Sequence, residues 1–134
     1  MMLPYLHLSK VYLKIDQPKQ AIDTYTRGLE KHPQAIELMI GIARVYEGLN
    51  DLEKSAKAYK QVLALDSSNV EGMASLASNY FYTDQPEVAL RYYRRLLQVL
   101  MFPISFLILN FIQQWYIFSY IFFSFKFLIH HFFQ

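Results

Sequence analysis

The chain has 134 residues, which is the length of one domain. Its 13 basic and 11 acidic residues give a formal net charge of +2, too balanced a distribution for a nucleic-acid-binding surface. The absence of cysteine excludes disulfides, thiolate zinc sites and thiol nucleophiles. The first residues, Met1 to Tyr5, lack the basic segment of a secretory signal, so we expect none.

A 34-residue spacing dominates the first hundred residues. Asp16-Gln17-Pro18 recurs as Asp84-Gln85-Pro86 after two such steps. One tyrosine set, Tyr12, Tyr46 and Tyr80, follows the same step, and so does a second set, Tyr25, Tyr59 and Tyr93. A period of this length with helical patterning is typical of a helix-turn-helix solenoid.

The pattern predicts three helical hairpins in chain order. We expect helices at about 3–15, 18–31, 36–48, 52–65, 70–82 and 86–98, with ends uncertain by a few residues. In the first hairpin, Asp16 is the predicted N-cap of the second helix, with Pro18 in its first turn. His32 precedes Pro33 and therefore ends that helix.

The later turns follow the same rules. Asn50 with Glu53, and Asp84 with Glu87, have the spacing of a capping box, which predicts Asn50 and Asp84 as N-caps. The run 66–69, with sequence DSSN, predicts the turn that ends the second hairpin.

Large and small positions alternate at spacings of three and four, which places each set on one helix face. The tyrosine sets are predicted core residues. The large apolar positions are Tyr5, Met39 and Met73, and Leu8, Ile42 and Leu76. The small positions, which let paired helices approach closely, are Ser9, Ala43 and Ala77, and Ala21, Ser55 and Ala89.

These residues resemble the tetratricopeptide repeat (TPR) family. The match rests on Tyr12, Ala21, Tyr25, Gly28 and Pro33, on the run 41–46, and on their equivalents in the third cycle. The resemblance implies an all-α, right-handed solenoid of three repeats followed by an apolar C-terminal tail. The repeats are expected at residues 2–35, 36–69 and 70–98, the last with an incomplete end, and the tail at 99–134.

A closer resemblance is to the family of the TPR subunit of the BBSome. It rests on the run 8–12 before Asp16-Gln17-Pro18, on the run 41–47, and most of all on the long run 78–98. It implies an internal fragment of a longer non-catalytic scaffold, cytoplasmic and at the cilium or basal body, in ciliary membrane-protein transport and cilium assembly. The implied partners are other BBSome-like subunits and cargo tails.

The TPR resemblance also implies a partner-binding groove along the first helix of each repeat, which we call the A-helix face. Its residues are Leu6, Lys10, Leu13, Ile40, Arg44, Glu47, Ala74, Ser78 and Phe81. Glu71 near this face would repel a ligand carboxylate, which disfavours a chaperone adaptor of the carboxylate-clamp type. Phe81 and Tyr82 are the aromatic residues expected to be exposed there.

Arg91, Arg94 and Arg95 form the densest basic cluster. One interpretation is a solvated helix face whose side-chain stems cover neighbouring rings. The other is a docking patch for an acidic partner or for phospholipid headgroups.

Residues 99–134 depart from the repeat pattern, with one charge, Lys126, and 13 aromatic residues. Residues 99–125 are uncharged and long enough to anchor the chain in a membrane, although Pro103, Asn110 and the pair Gln113-Gln114 oppose this. A terminal helix pair that caps the solenoid is a second interpretation. The third is read-through into AT-rich noncoding DNA, because a Gln98 codon of CAG followed by a Val99 codon starting GT would match a splice donor.

No reactive constellation is present in the sequence, so we expect no enzyme, no cofactor and no small-molecule substrate. His7 and His32 lack ligand spacing, and the adjacent His130 and His131 would point about 100° apart on a helix. We therefore expect no metal site.

Overall fold

The computed structural model describes residues 1–133, which contain six α-helices and no strand. The helices are α1 (Leu3–Lys14), α2 (Pro18–Lys31), α3 (Ile36–Gly48), α4 (Leu52–Leu65), α5 (Val70–Tyr82) and α6 (Pro86–Phe132). The all-α solenoid prediction is confirmed. The predicted end of the sixth helix at residue 98 is wrong, because α6 continues through Pro103 to Phe132.

The turn after each A helix has one geometry, and it corrects the predicted N-caps. Asp16, Asn50 and Asp84 have φ of 57°, 59° and 59°, which is the left-handed region. Each is the residue that terminates the preceding helix, not the cap of the next one. Two amide-to-carbonyl bonds close each turn, as in a Schellman motif: Asp16 N to Leu13 O at 3.2 Å and Gln17 N to Tyr12 O at 2.8 Å in the first hairpin.

Helices α4 and α5 each have a side-chain N-cap. The N-cap of α4 is Asp51, whose Oδ1 accepts from the Lys54 amide at 3.1 Å. The N-cap of α5 is Asn69, whose Oδ1 accepts from the Gly72 amide at 2.8 Å. Asp66 accepts from Ser68 in the same turn, so the predicted turn chemistry at 66–69 is present.

The core of residues 1–96 lies between successive helices. The six small positions are buried, with Ser9, Ala21, Ala43, Ser55 and Ala77 at 0% exposure and Ala89 at 2%. Tyr25 packs with Leu38 and Val45 of α3 in the first seam, which we define as the contact between α2 and α3. Tyr59 packs with Leu76 in the second seam, between α4 and α5.

Two parts of the core prediction are wrong. Tyr93 is 41% exposed, because α6 is the last helix of the stack in residues 1–96 and no following helix covers it. Leu8 is 46% exposed on α1, the first helix. Tyr12, Tyr46 and Tyr80 are half-buried, and Tyr80 stacks on Tyr92 with ring centroids 5.7 Å apart.

Residues from Leu97 onwards form a separate unit. It is helical to Phe132, and its residues from Leu100 to Phe133 are exposed. The expectation of a capping helix pair is wrong, because one helix runs through this part of the described chain. By length and composition α6 could cross a membrane, with a mean hydropathy of 1.9 in its most apolar window.

Candidate functional site

The A-helix face draws its side chains from α1, α3 and α5. Lys10 and Arg44 are exposed, as are Leu13 and Phe81, and Phe81 is 60% exposed. Leu6, Ile40, Glu47, Ala74 and Ser78 are half-buried. Leu6 packs against the core cluster around Tyr25, so it supports the fold as well as the face.

A charged network joins this face to the core across the second repeat boundary. Arg44 Nε and Nη2 each donate to the Glu71 carboxylate at 2.6 Å, which makes the pair bidentate. The Tyr59 hydroxyl donates to Glu47 Oε2 at 3.2 Å. The structure therefore brings Arg44 and Glu47 together through two residues, Tyr59 and Glu71, that were not predicted as part of the face.

The protonation behaviour of this network follows from its contacts. Burial raises the pKa of Tyr59 to about 12, and the Glu47 and Glu71 carboxylates act in the same direction. The Glu71 carboxylate raises the pKa of Arg44. The Glu71 carboxylate is ion-paired with Arg44, so a ligand carboxylate would meet an arginine that already has a partner.

Phe81 and Tyr82 provide exposed aromatic area at the end of α5. Tyr82 is 76% exposed, and the two rings meet edge to face with centroids 5.5 Å apart. Aromatic residues of this kind are enriched among those that dominate binding energy at protein interfaces. They are therefore suited to contact a partner.

The basic cluster on α6 is exposed, but only part of it is free of internal contacts. The Arg95 guanidinium lies 5.9 Å from the centre of the Tyr92 ring and donates to the Ser67 carbonyl at 3.3 Å. Arg91 and Arg95 flank a small cleft that Val88 and Tyr92 also line. One guanidinium of the cluster thus lies over a neighbouring ring, and a docking role for the cluster stays a prediction.

Within residues 1–133, no group of three or more His, Asp or Glu side chains is placed to hold a metal ion. The arrangement at the A-helix face instead offers side-chain donors, a bidentate ion pair and exposed rings. Such a surface is suited to bind a polypeptide.

Comparison with solved structures supports this fold. The chain matches the crystal structure of MamA with a TM-score of 0.73 at 17% identity, covering 78% of this chain and 61% of that one. It matches the first TPR of Spaghetti (RPAP3), bound to the HSP90 peptide SRMEEVD, with a TM-score of 0.66 at 23% identity, covering 73% and 78%. At these identities the likeness shows the fold alone.

Sequence comparison finds one matching repeat in the middle of the chain. The tetratricopeptide repeat model matches residues 36–69. This segment is the second of the three repeats predicted from the 34-residue spacing, and it is similar to the tetratricopeptide repeat (TPR).

Comparison with curated proteins finds relatives of higher sequence identity. The chain is similar to tetratricopeptide repeat protein 8 of Caenorhabditis elegans, with 47% identity over 92 residues. It is 50% identical over 86 residues to the protein of the same name from Mus musculus. These matches cover 69% and 64% of this chain but only 18% and 17% of the relatives, so the chain spans less than a fifth of their length.

Proposed function

We propose that this chain acts as a non-catalytic scaffold in a BBSome-like complex, in the cytoplasm at the cilium or basal body. The supporting observation is its identity of 47–50% to proteins named tetratricopeptide repeat protein 8. That is the family of the BBSome TPR subunit, which the long run 78–98 resembles. The role would be in ciliary membrane-protein transport and cilium assembly, with other subunits and cargo tails as partners.

We propose the A-helix face as the main partner surface. Its Arg44–Glu71 pair is bidentate and holds two neighbouring repeats in one arrangement, which lowers the entropic cost of binding. Its exposed ring at Phe81 supplies apolar contact area. The repeats at 2–35, 36–69 and 70–98 would then contribute one helix each to a continuous surface.

Affinity purification from ciliated cells tests the role. The tagged chain should recover other BBSome subunits, identified by mass spectrometry. Phe81→Ala should lower that recovery at least about threefold, since exposed interface aromatics commonly dominate binding. Leu65→Ala is the matched control, because Leu65 is 46% exposed at the end of α4 and outside the A-helix face. Absence of every BBSome subunit from the recovered proteins would refute the proposal.

A second function is a TPR adaptor tethered to a membrane by the tail. The observation that favours it is one long apolar helix whose residues from Leu100 onwards are exposed, with mean hydropathy of 1.9 in one window. About 20 apolar residues suffice to cross a bilayer. Pro103 within the helix is compatible with a membrane-spanning segment, because proline is more frequent in transmembrane helices than in helices of soluble proteins.

Membrane fractionation separates the two functions. The full chain should resist carbonate extraction if the tail spans a membrane, and a chain ending at Gln98 should be released. Ile112→Arg, near the middle of the apolar segment, should weaken retention, because a charge there is costly in hydrocarbon. Complete extraction of the full chain by carbonate would exclude the anchor.

A further inference from the structure

A cleft between α4 and α5 lies apart from the A-helix face. Its volume is about 680 Å³, and we call it the lysine cleft after the residues on its α4 wall. Its polar lining consists mainly of Lys54, Lys57, Lys60, Asn79, Thr83 and Gln85. The space is large enough for several side chains of a polypeptide.

The three lysines are three residues apart on α4 and therefore share one side of that helix. Lys54 forms an ion pair with Asp51 at 3.2 Å. The Lys60 ammonium lies 5.4 Å from the centre of the Tyr80 ring, a cation–π contact that holds it at the cleft. Glu53 also lines the cleft, and the lysines outnumber it. The net field in the cleft is therefore positive.

Asn79 provides an independent sign of a ligand. The residue is 5% exposed and lines the cleft, yet its Nδ2 has no hydrogen-bond acceptor among the described residues. A buried amide without an acceptor is costly for the folded state, and native proteins seldom keep one without a reason. The Nδ2 atom itself is closed to solvent, so an oxygen acceptor from a ligand would satisfy it once the amide turns toward the cleft.

The preceding repeat gives an internal comparison. The residues 34 positions earlier than the three lysines are Gln20, Asp23 and Thr26, and Val45 occupies the place of Asn79. The first seam therefore carries an apolar residue and no positive charge at the same positions. Neither the lysines nor the buried amide is needed to pack two repeats together.

We propose that the lysine cleft binds an acidic polypeptide segment, with ligand oxyanions paired to Lys57 and Lys60 and one oxygen accepting from Asn79 Nδ2. Carboxylate and phosphate oxygens share this chemistry, and the two sources are separated by experiment. The inference rests on the proposed scaffold role and adds a second docking site, remote from the A-helix face, with a stated ligand charge.

Fluorescence anisotropy of the full chain in nonionic detergent tests the proposal. The probes are labelled hexaglutamate and a labelled glycine–serine hexapeptide with one phosphoserine. At least one should bind saturably, and its identity distinguishes carboxylate from phosphate. Affinity should fall when sodium chloride is raised from about 50 to 300 mM, because exposed ion pairs are screened.

Two variants define the site. Lys57→Gln with Lys60→Gln should weaken binding by about tenfold or more, which corresponds to 1.4 kcal/mol. Asn79→Val copies the first seam and should weaken binding about threefold or more while raising the thermal midpoint, because it removes an unpaired amide. The matched control is Lys14→Gln with Lys19→Gln, two exposed lysines outside both the cleft and the A-helix face, which should change affinity less than about twofold.

Several outcomes would overturn the proposal. They are an absence of saturable binding by both probes, an equal loss in the Lys14 and Lys19 control, or unchanged binding by Asn79→Val. Since the assay uses purified chain, it can fail while the chain still recovers BBSome subunits from cells. It can equally succeed while that recovery fails, so the two proposals are judged separately.

Discussion

Tyr25, Tyr59 and Tyr93 occupy the same repeat position but do not share an environment. Tyr25 is 3% exposed in the first seam and Tyr59 is 0% exposed in the second. Tyr93 on α6 is 41% exposed. The difference arises because α3 covers α2 and α5 covers α4, whereas α6 ends the stack in residues 1–96.

The comparison shows that the tyrosine at this repeat position is buried by the following repeat and not by its own hairpin. The contribution of each tyrosine to stability therefore depends on whether a following helix covers it. Tyrosines at the same repeat position contribute different amounts to the free energy of unfolding. This is the nearest-neighbour behaviour expected of a solenoid. The C-terminal face around Tyr93 is left as the surface where a further repeat or a partner would pack.

Truncating the tyrosines gives the largest expected effect and tests the comparison directly. Tyr59→Ala should lower the free energy of unfolding by about 3–5 kcal/mol, because a fully buried ring is replaced by a cavity. Tyr93→Ala, the matched control, should cost less than about 1 kcal/mol at its partly exposed site. Urea unfolding followed by circular dichroism measures both. Equal losses for the two variants would show that the face around Tyr93 is covered in solution.

A methyl group added in the first seam gives the next largest effect. A Cβ at Gly41 would lie 2.5 Å from Tyr25 Cζ, and the ring is too buried to swing away. Gly41→Ala should therefore destabilise the chain by about 1–3 kcal/mol. Gly48→Ala has open space and should stabilise the end of α3 by about 0.5–1 kcal/mol. A neutral Gly41→Ala in the same urea assay would mean that the seam is looser than the structure indicates.

The repeat period was sufficient to predict the solenoid, because helix faces and hairpin lengths are set by local spacing. The turn residues were assigned incorrectly for a chemical reason. Asp and Asn are favoured both as N-caps and, among residues other than glycine, in the left-handed conformation that ends a helix. Asp16, Asn50 and Asp84 adopt the second role, and the sequence alone does not distinguish the two.

The end of α6 and the partner of Arg44 were missed for different reasons. After Gly72 the sequence has no glycine to end a helix, and Pro103 alone does not break one that is otherwise continuous. Arg44 was predicted on the A-helix face, but its bond to Glu71 joins residues 27 positions apart. Such a pair depends on how one repeat sits on the next. The opposite charges of Arg44 and Glu71 are compatible with an ion pair, but the sequence does not show how far apart the two side chains lie.

High pH should weaken the second seam more than the rest of the stack. Burial raises the pKa of Tyr59 to about 12 from an ordinary value of 10.0. The unfolded chain therefore loses this proton first, and stability present below pH 10 falls as the pH rises from about 10 to about 12. A shift of this size corresponds to about 2–3 kcal/mol.

Thermal unfolding at steps between pH 9 and 12 measures this loss. Tyr59→Phe removes the titrating group and should show a smaller fall in midpoint over that range than the unmodified chain. Tyr93→Phe is the control, and its midpoint should fall as in the unmodified chain. If the curves of Tyr59→Phe and the unmodified chain run parallel, the second seam does not hold Tyr59 in its protonated form.

The smallest expected effect comes from replacing one buried serine with alanine in each of the first two hairpins. Ser9 Oγ donates to the Ala21 carbonyl at 3.3 Å, whereas Ser55 Oγ is buried without a partner among the described residues. Alanine fits at both positions, because Ala43 and Ala89 occupy the equivalent sites elsewhere in the stack. Ser55→Ala should therefore raise the free energy of unfolding by about 1 kcal/mol, since it removes an unsatisfied hydroxyl. Ser9→Ala should lower it by up to about 1 kcal/mol, since it removes a bonded one. The changes in free energy of unfolding measured in the urea assay should therefore have opposite signs at two sites of similar burial. A loss of stability in Ser55→Ala would show that its hydroxyl has a partner in solution.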